Sequence, residues 1–537
     1  MKLHYKIASS VFALALLWSG CTDNFEDINI DEKKVTDEQI KADYFFIGGP
    51  VLQMQQLIYM NFNWGWGTDW TFQIVQNLNA DIFSGYMMTP TPFAGGDNNH
   101  NYMLVDGWNS SAWDYTYERF MTESNNLRLK TEAEYPHMNA ANKILRVAAM
   151  HRISDIYGPI IYTHYGESKT GGKFDSQKDA YMAFFKDLDD AVTGLDQYIK
   201  QYPGAKPLAK YDLLFGGDFS QWIKWANSLR LRLAIRISNV EPAIAKTQAE
   251  AALNNSYGVF EGSDVAGVKG ASYTHPLATL SGGWEDIKMG AVAESILSGY
   301  QDPRLPKFFK PTTDEVVLAA NYTYKGIRQG CKLTLKDIYV KHSTVNVAKT
   351  DAAILMSAAE VYFLRSEGAL RGWNMKGTAK ELYELGVKAS MSQHGVAIGD
   401  YLASDRVAAP YIDVIAATDV NNVPEGSAHL NNVSPKWDDA ASVDVKLQKI
   451  ITQKWIAMFP EGQEAWSEFR RTGFPKLFPV VENKSQGKIE GFVKRLNFSV
   501  NEKSRNPEGY QEAVTLLGGP DTGGTRLWWD VADKGIN

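Results

Sequence analysis

Gln453-Lys-Trp-Ile-Ala-Met-Phe-Pro-Glu-Gly-Gln-Glu-Ala-Trp-Ser-Glu-Phe-Arg-Arg-Thr-Gly-Phe-Pro475 is the stretch that sets the architecture of this 537-residue chain. Its first part completes an apolar-periodic run, which predicts a helix over residues 446–459. Pro460-Glu461-Gly462 ends that helix. Proline has no N–H to continue the ladder, and glycine lets the backbone leave the helical region. A second, short helix is expected over 463–471. Helix, tight break, helix is the pattern, with none of the alternation a strand would show.

The same pattern recurs outward along the chain. Residues 352–371 read as a helix stopped by Gly372, and 378–393 as its antiparallel partner, followed by Gly395. Over 219–238, Trp222, Trp225, Ala226, Leu229 and Leu233 share one face. Arg230, Arg232 and Arg236 lie towards its C-terminal half, where the helix dipole tolerates cations. Over 176–199, Asp175 or Ser176 is the expected cap, and Ala180, Phe184, Leu188, Ala191 and Leu195 form a stripe. Over 138–157, Ile144, Val147, Ala148 and His151 share a face, and Gly158-Pro159 stops the helix.

Between the helices, residues 61–115, 256–350, 396–445 and 472–537 are rich in Gly, Pro, Asn and Thr and read as long irregular loops. Such loops tend to carry function. The fold class expected is all-α dominated, a single domain on tetratricopeptide-like helix pairs, although that repeat's consensus is absent at any strict period. No Pro/Gly/Ser linker divides the chain.

Composition narrows the function classes. Hydrophobic residues are 44% and charged residues 22%, which excludes a disordered or collagen-like chain. The net charge is −7 without a Lys/Arg run, so no nucleic-acid partner is expected. Two cysteines, Cys21 and Cys331, exclude a four-cysteine zinc site. At the N-terminus, Lys2 and Lys6 precede a mostly apolar run over 7–18 and then Ser19-Gly20-Cys21. The run is too short to span a bilayer and reads as a secretory signal. The Cys21 thiol just after the cut can carry a diacylglycerol that inserts in a membrane. Trp18 stands where such lipoprotein signals usually carry Leu. The expected organisation is a signal peptide over 1–20, an acylated tether over 21–39 and a ligand-binding domain over 40–537.

Catalytic motifs are missing. There is no G-x-S-x-G, H-E-x-x-H or G-x-x-x-x-G-K-[ST] in the sequence. His137, His151 and His164 read as unrelated histidines. Asp27, Asn29, Asp31 and Glu38 match four positions of a calcium loop, but Glu32 occupies the position that needs glycine. That segment reads as a solvated tether. Glu360 and Glu367, two turns apart on one helix, read as packing and ion pairs rather than a glycosidase pair. No catalytic residue, metal or cofactor is expected.

Aromatic residues are the outlier: 15 Trp, 26 Tyr and 24 Phe. In Asn61-Phe-Asn-Trp64-Gly-Trp66-Gly-Thr-Asp-Trp70, single glycines separate rings that keep no helical or strand register. Tyr86, Trp108 and Trp113 follow, and Leu280-Ser-Gly-Gly-Trp284-Glu-Asp286 repeats the glycine-flanked pattern. Flat rings stack on the C–H faces of sugars, while neighbouring Asn and Asp can hydrogen-bond hydroxyls. The candidate ligand-binding residues are Trp64, Trp66, Trp70, Tyr86, Trp108 and Trp284.

Several segments, taken together, resemble one family. They are Cys21-Thr-Asp-Asn-Phe-Glu-Asp-Ile-Asn29, Ile153-Ser-Asp-Ile-Tyr-Gly-Pro-Ile160 and Trp225-Ala-Asn-Ser-Leu-Arg-Leu-Arg-Leu-Ala234. Asp302-Pro-Arg-Leu305 and Glu360-Val-Tyr-Phe-Leu-Arg-Ser-Glu-Gly-Ala-Leu-Arg-Gly372 follow, then the opening stretch itself. In this order the chain resembles the SusD-like (SusD/RagB) outer-membrane nutrient-binding lipoproteins of Bacteroidota. The resemblance implies an α-α superhelix of tetratricopeptide-like pairs with its loops on one side. It also implies a lipid anchor at Cys21 in the outer membrane, facing the exterior, with the acidic start from Asp23 to Asp27 similar to a surface-export signal. It further implies non-catalytic glycan capture, with delivery to a TonB-dependent (SusC-like) transporter. It transfers no ligand position, so the aromatic candidates rest on local chemistry.

Three other readings stay open at this point. The same scaffold could capture peptides. A secreted glycoside hydrolase would need convergent carboxylates in the aromatic cleft, for example Asp69, Asp81 or Asp106. A structural surface protein would bury every Trp.

Overall fold

The computed structural model describes residues 44–61, 68–168, 171–270 and 272–535. Helices dominate, and their caps explain where they start and stop. The long ones are α1 (Phe45–Ile58), α2 (Thr122–Thr131), α3 (Pro136–Tyr157), α4 (Gln177–Gln201), α5 (Phe219–Arg236) and α6 (Pro242–Asn254). They continue with α7 (Ala291–Tyr300), α8 (Ala358–Leu370), α9 (Ala379–Gln393), α10 (Val443–Ala457), α11 (Gly462–Thr472) and α12 (Pro507–Leu517). Pro136 and Pro242 open α3 and α6, where a missing N–H costs nothing. Ser176, Asp218, Ser357 and Ser442 cap α4, α5, α8 and α10 by accepting first-turn N–H groups. Thr378 and Glu381 form a capping box on α9. Gly473, in the left-handed region, closes α11.

Successive helices pack on one another: α3 on α4, α4 on α5, α5 on α6, then α8 on α9 and α10. α5 also packs on α8 and joins the two groups. This is the expected order of helix pairs. Chain contacts separate Met1–Phe46 from Ile47–Asn537. Residues 1–43, including Cys21 and the acidic tether, lie outside the described residues.

Two expectations are corrected. Residues 353–357 do not begin α8. Strand β4 (Ala353–Ser357) pairs antiparallel with β2 (Val265–Val268), with a register shift at Ala266/Gly267. The run Ala353-Ile-Leu-Met356 is apolar without helical period, so pairing with β2 decides it, and Ser357 then caps the helix. The second correction concerns the loops. A π-helix over Gln73–Asp81 lies within 61–115, α7 within 256–350 and α12 within 472–537. A two-residue pair, β1 (Met87–Met88) with β3 (Lys288–Met289), ties the first loop region to the second.

The core carries charge as well as apolar side chains. Arg232 and Arg236 of α5 meet Glu360 of α8 and Glu464 and Glu468 of α11. Arg471 pairs with Glu367 at 2.6 Å and Glu468 at 2.7 Å. Lys454 of α10 lies 3.1 Å from Glu468, and Asp155 of α3 lies 3.3 Å from Arg236. All of these side chains are buried. Glu360 and Glu367 are therefore structural ions, as their neighbours suggest.

Candidate functional site

Two π-helical stretches each present a tryptophan. Trp70 stands just before the π-helix Gln73–Asp81 and leaves 47% of its surface open. Trp284 follows the π-helix Ala278–Gly283 and is 40% exposed. π-turns often mark functional positions because the extra residue re-aims side chains. Asp69 adopts φ 28°, which is strained for a residue with a Cβ. Its carboxylate accepts Asn61 Nδ2 at 3.0 Å, and Asn61 also donates to the Thr274 carbonyl at 2.7 Å. The two ends of the Trp64–Trp66 segment are thus tied together. Trp64 and Trp66 themselves lie outside the described residues.

Asp286 gathers the surrounding segments. It accepts Gln73 Nε2 at 3.2 Å, Thr91 Oγ1 at 2.7 Å and Lys336 Nζ at 2.8 Å. Lys336 also donates to the Trp284 carbonyl at 2.6 Å. Charge-assisted bonds of this kind are the stronger ones, and Asp286 is largely shielded from water. Next door, burial pulls the Lys288 ammonium below the usual lysine range. Gln73, three residues after Trp70, Thr91 and Lys336 therefore converge on one carboxylate, two residues from Trp284.

A cleft of about 450 Å³ is lined by residues close in the chain to Thr91 and Lys336. One wall is Pro92, Gly95, Gly96 and Asp97; the other is Lys332, Leu333 and Thr334. They touch at Gly96, where a Cβ would sit 2.7 Å from the Leu333 carbonyl oxygen. Gly96 also has φ 94°, so both space and backbone require glycine. Phe93 of the first wall packs edge-on against Trp108 at 6.1 Å, and Leu335 stands exposed beside Lys336.

The family model for SusD-like proteins, the SusD and RagB outer membrane lipoproteins, matches residues 27–530. The chain belongs to the SusD-like family. A chitin-binding SusD homolog from Flavobacterium johnsoniae is 44% identical, covering 91% of this chain and 99% of that one with TM-score 0.85. A SusD homolog from Bacteroides vulgatus is 41% identical, covering 92% and 99%, with TM-score 0.85. One from Bacteroides uniformis is 33% identical, covering 90% and 99%, with TM-score 0.80. No curated protein matches the chain. As a SusD-like protein it is an outer-membrane lipoprotein, and no helix among the described residues is long and apolar enough to cross a membrane.

In this SusD-like protein Trp70 and Trp284 are both exposed, and Trp108 is half-buried with its ring edge-on to Phe93. Tyr86 is corrected. It is 0% exposed, its ring lies 4.6 Å from Trp455 and its hydroxyl donates to the Trp455 carbonyl. It is a core residue and leaves the candidate surface. Trp113 is likewise buried, stacked on Phe174.

The carboxylates named for hydrolysis separate. Asp81 is sealed in the interior, where burial pushes its carboxyl up to about 7 against the hydrogen bonds of Asn77 and Gln76. Asp69 holds Asn61, and Asp106 accepts Asn497 Nδ2 at 2.8 Å. The three histidines are also apart in role. His137 stacks on Tyr198, His151 bonds the Val147 carbonyl, and His164 pairs with Glu167. Among the described residues no group of His, Cys, Asp or Glu could hold a metal ion. Sequence reasoning missed Thr91, Phe93, Leu333 and Lys336, because only the fold brings them to Trp284.

Proposed function

We propose that this protein is a non-catalytic surface glycan-binding lipoprotein. It captures an oligo- or polysaccharide on Trp70 and Trp284 and passes it to a TonB-dependent transporter of the outer membrane. The observation that carries this reading is that Trp70 and Trp284 are both exposed, with Lys336 bonding the Trp284 carbonyl and Asp286, which also accepts from Gln73, three residues after Trp70. Open indole faces offer stacking area, and the polar walls offer hydrogen bonds to hydroxyls. The Flavobacterium johnsoniae relative binds chitin, which favours a β-linked N-acetylglucosamine chain as the cargo here. Cys21 carries the lipid anchor, residues 1–20 are removed as signal, 21–39 act as tether, and 40–537 form the binding domain.

The test is affinity electrophoresis of residues 22–537 in gels containing glycol chitin, starch, xylan or no polysaccharide. Retardation in one glycan, lost in the Trp70→Ala/Trp284→Ala double variant while that variant stays folded, is the expected result. Retardation that survives the double change moves the site elsewhere. No retardation in any gel, together with binding to a peptide library, would replace glycan by peptide as cargo.

A further inference from the structure

The 450 Å³ cleft does not end at its far wall. Lys484 lines it and also lines a second cleft of about 170 Å³. The Lys484 backbone N–H donates to the Asn101 carbonyl at 2.8 Å, which fixes that residue where the two spaces meet. From Asn101 the chain runs through Tyr102 and Leu104 to Asp106, all on the second cleft. Asp106 begins the short helix Asp106–Asn109 that carries Trp108. The two clefts thus share a lysine and a continuous stretch of wall.

The second cleft has a sugar-like polarity pattern. Leu104 and Ile489 form an apolar patch against Gly523, where a Cβ would meet them at 2.7 and 2.9 Å. Lys484 and Lys488 stand on the rim as donors. Asn497 gives its amide N–H to Asp106, and its own carbonyl oxygen is buried with no partner among the described residues. A buried acceptor left unpaired is costly unless something donates to it. Asp521 is not available to a ligand. It is occupied by Arg495 at 2.6 Å, Lys503 at 2.9 Å and the Phe498 N–H at 2.9 Å.

We infer that the second cleft is a distal subsite for the same glycan chain, so that the protein recognises an extended segment rather than a single end unit. This rests on the glycan reading above. The occupant is a neutral sugar unit whose acetamido N–H or hydroxyl donates to Asn497 Oδ1. Its acetyl or ring C–H face lies on Leu104 and Ile489. Lys484 serves both spaces, donating to whichever unit bridges them.

Length dependence tests this. Calorimetric titration compares the N-acetylglucosamine trimer with the hexamer, on the wild type and on Thr522→Trp, which fills the cleft, and Lys488→Ala, which removes a donor without filling it. The wild type should bind the hexamer about tenfold or more tighter than the trimer, the difference a few added hydrogen bonds and contacts supply. Thr522→Trp should bring the hexamer down to the trimer's affinity and leave the trimer unchanged, and Lys488→Ala should do part of this. Equal affinity of the wild type for both lengths overturns the distal subsite while leaving glycan capture standing. So does a hexamer affinity untouched by either variant. Absence of binding to both overturns it together with the reading beneath it.

Discussion

Trp70 and Trp284 keep 47% and 40% of their surface open, whereas Tyr86 has none, and that contrast is why the proposed ligand contacts are the two tryptophans and not Tyr86. Removing a ring that is more than half buried costs about 1–2 kcal/mol of stability. Removing a stacking partner for a sugar lowers affinity as well. Trp284→Ala is therefore expected to weaken glycan affinity by roughly tenfold, from lost stacking and apolar contact, with a modest fall in unfolding temperature. Tyr86→Phe should act on stability alone. It strands the Trp455 carbonyl and costs about 1–2 kcal/mol of stability with affinity intact. Titration and thermal unfolding of both variants check the pair, and a Tyr86→Phe protein that folds normally but loses glycan would return that residue to the site. The glycine-flanked tryptophans stand out in the sequence because no regular register explains them, and of these Trp70 and Trp284 are exposed. Tyr86 was misread because its partners, Trp455 and Phe459, lie more than 360 positions away. Asp286 was quoted only as a neighbour of Trp284, since nothing local shows that Gln73, Thr91 and Lys336 reach it.

At the scale of elements, local signals located the long helices well. Ser176 is a cap as expected and Gly158 closes its helix, whereas the helix expected from 446 starts at Val443 behind the cap Ser442. The segment 353–357 was missed because strand β4 exists only through pairing with β2, a contact between distant residues. The arginines of α5 were also read too locally. Arg232 and Arg236 do not simply complement a dipole; they neutralise Glu360, Glu464 and Glu468 inside the core. Breaking such a network leaves buried charge unpaired, at about 3–5 kcal/mol. Glu468→Gln is expected to lose stability on that scale in urea unfolding, because Lys454, Arg236 and Arg471 all face it. Acid should act on the same bonds. Burial alone would raise the Glu464 carboxyl, but Arg236, Arg232 and Lys454 overcome it and hold it at about 2. A folded value below the unfolded one, about 4.3, gives stability that is present above that value and lost as pH falls from 4 towards 2. A flat urea midpoint across that window would show the network to be uncoupled from folding.

For the whole molecule, family membership was legible because the resembling segments are spread from Cys21 to Pro475, and the match runs over 27–530. Ligand identity was not, since none of the resembling segments includes a candidate aromatic residue. The anchor is tested at this scale too. Cys21→Ser should abolish metabolic labelling with radioactive palmitate and move the protein from the membrane to the soluble fraction of lysed cells. Retention in the membrane would require a different attachment. A second global property follows from the histidines. Burial lowers His151 to about 3 and His137, His275, His342 and His394 to about 4, against an ordinary value of 6.5. Between pH 6.5 and 4 the unfolded chain takes up these protons and the folded chain does not. Stability is therefore fully present above 6.5 and declines as pH falls, by about 1.4 kcal/mol per pH unit for each proton taken up on unfolding. Asp81 and Glu294 oppose this, because burial raises them to about 7 and about 6 and their folded forms take protons first. Fewer than five protons net should therefore be absorbed on unfolding at pH 5. Calorimetric unfolding in buffers of different ionisation enthalpy measures that number directly. Net uptake confirms that the buried imidazoles govern mild-acid stability. Net release would mean that the carboxyls outweigh them, and the protein would then grow more stable as pH falls from 6.5 towards 5.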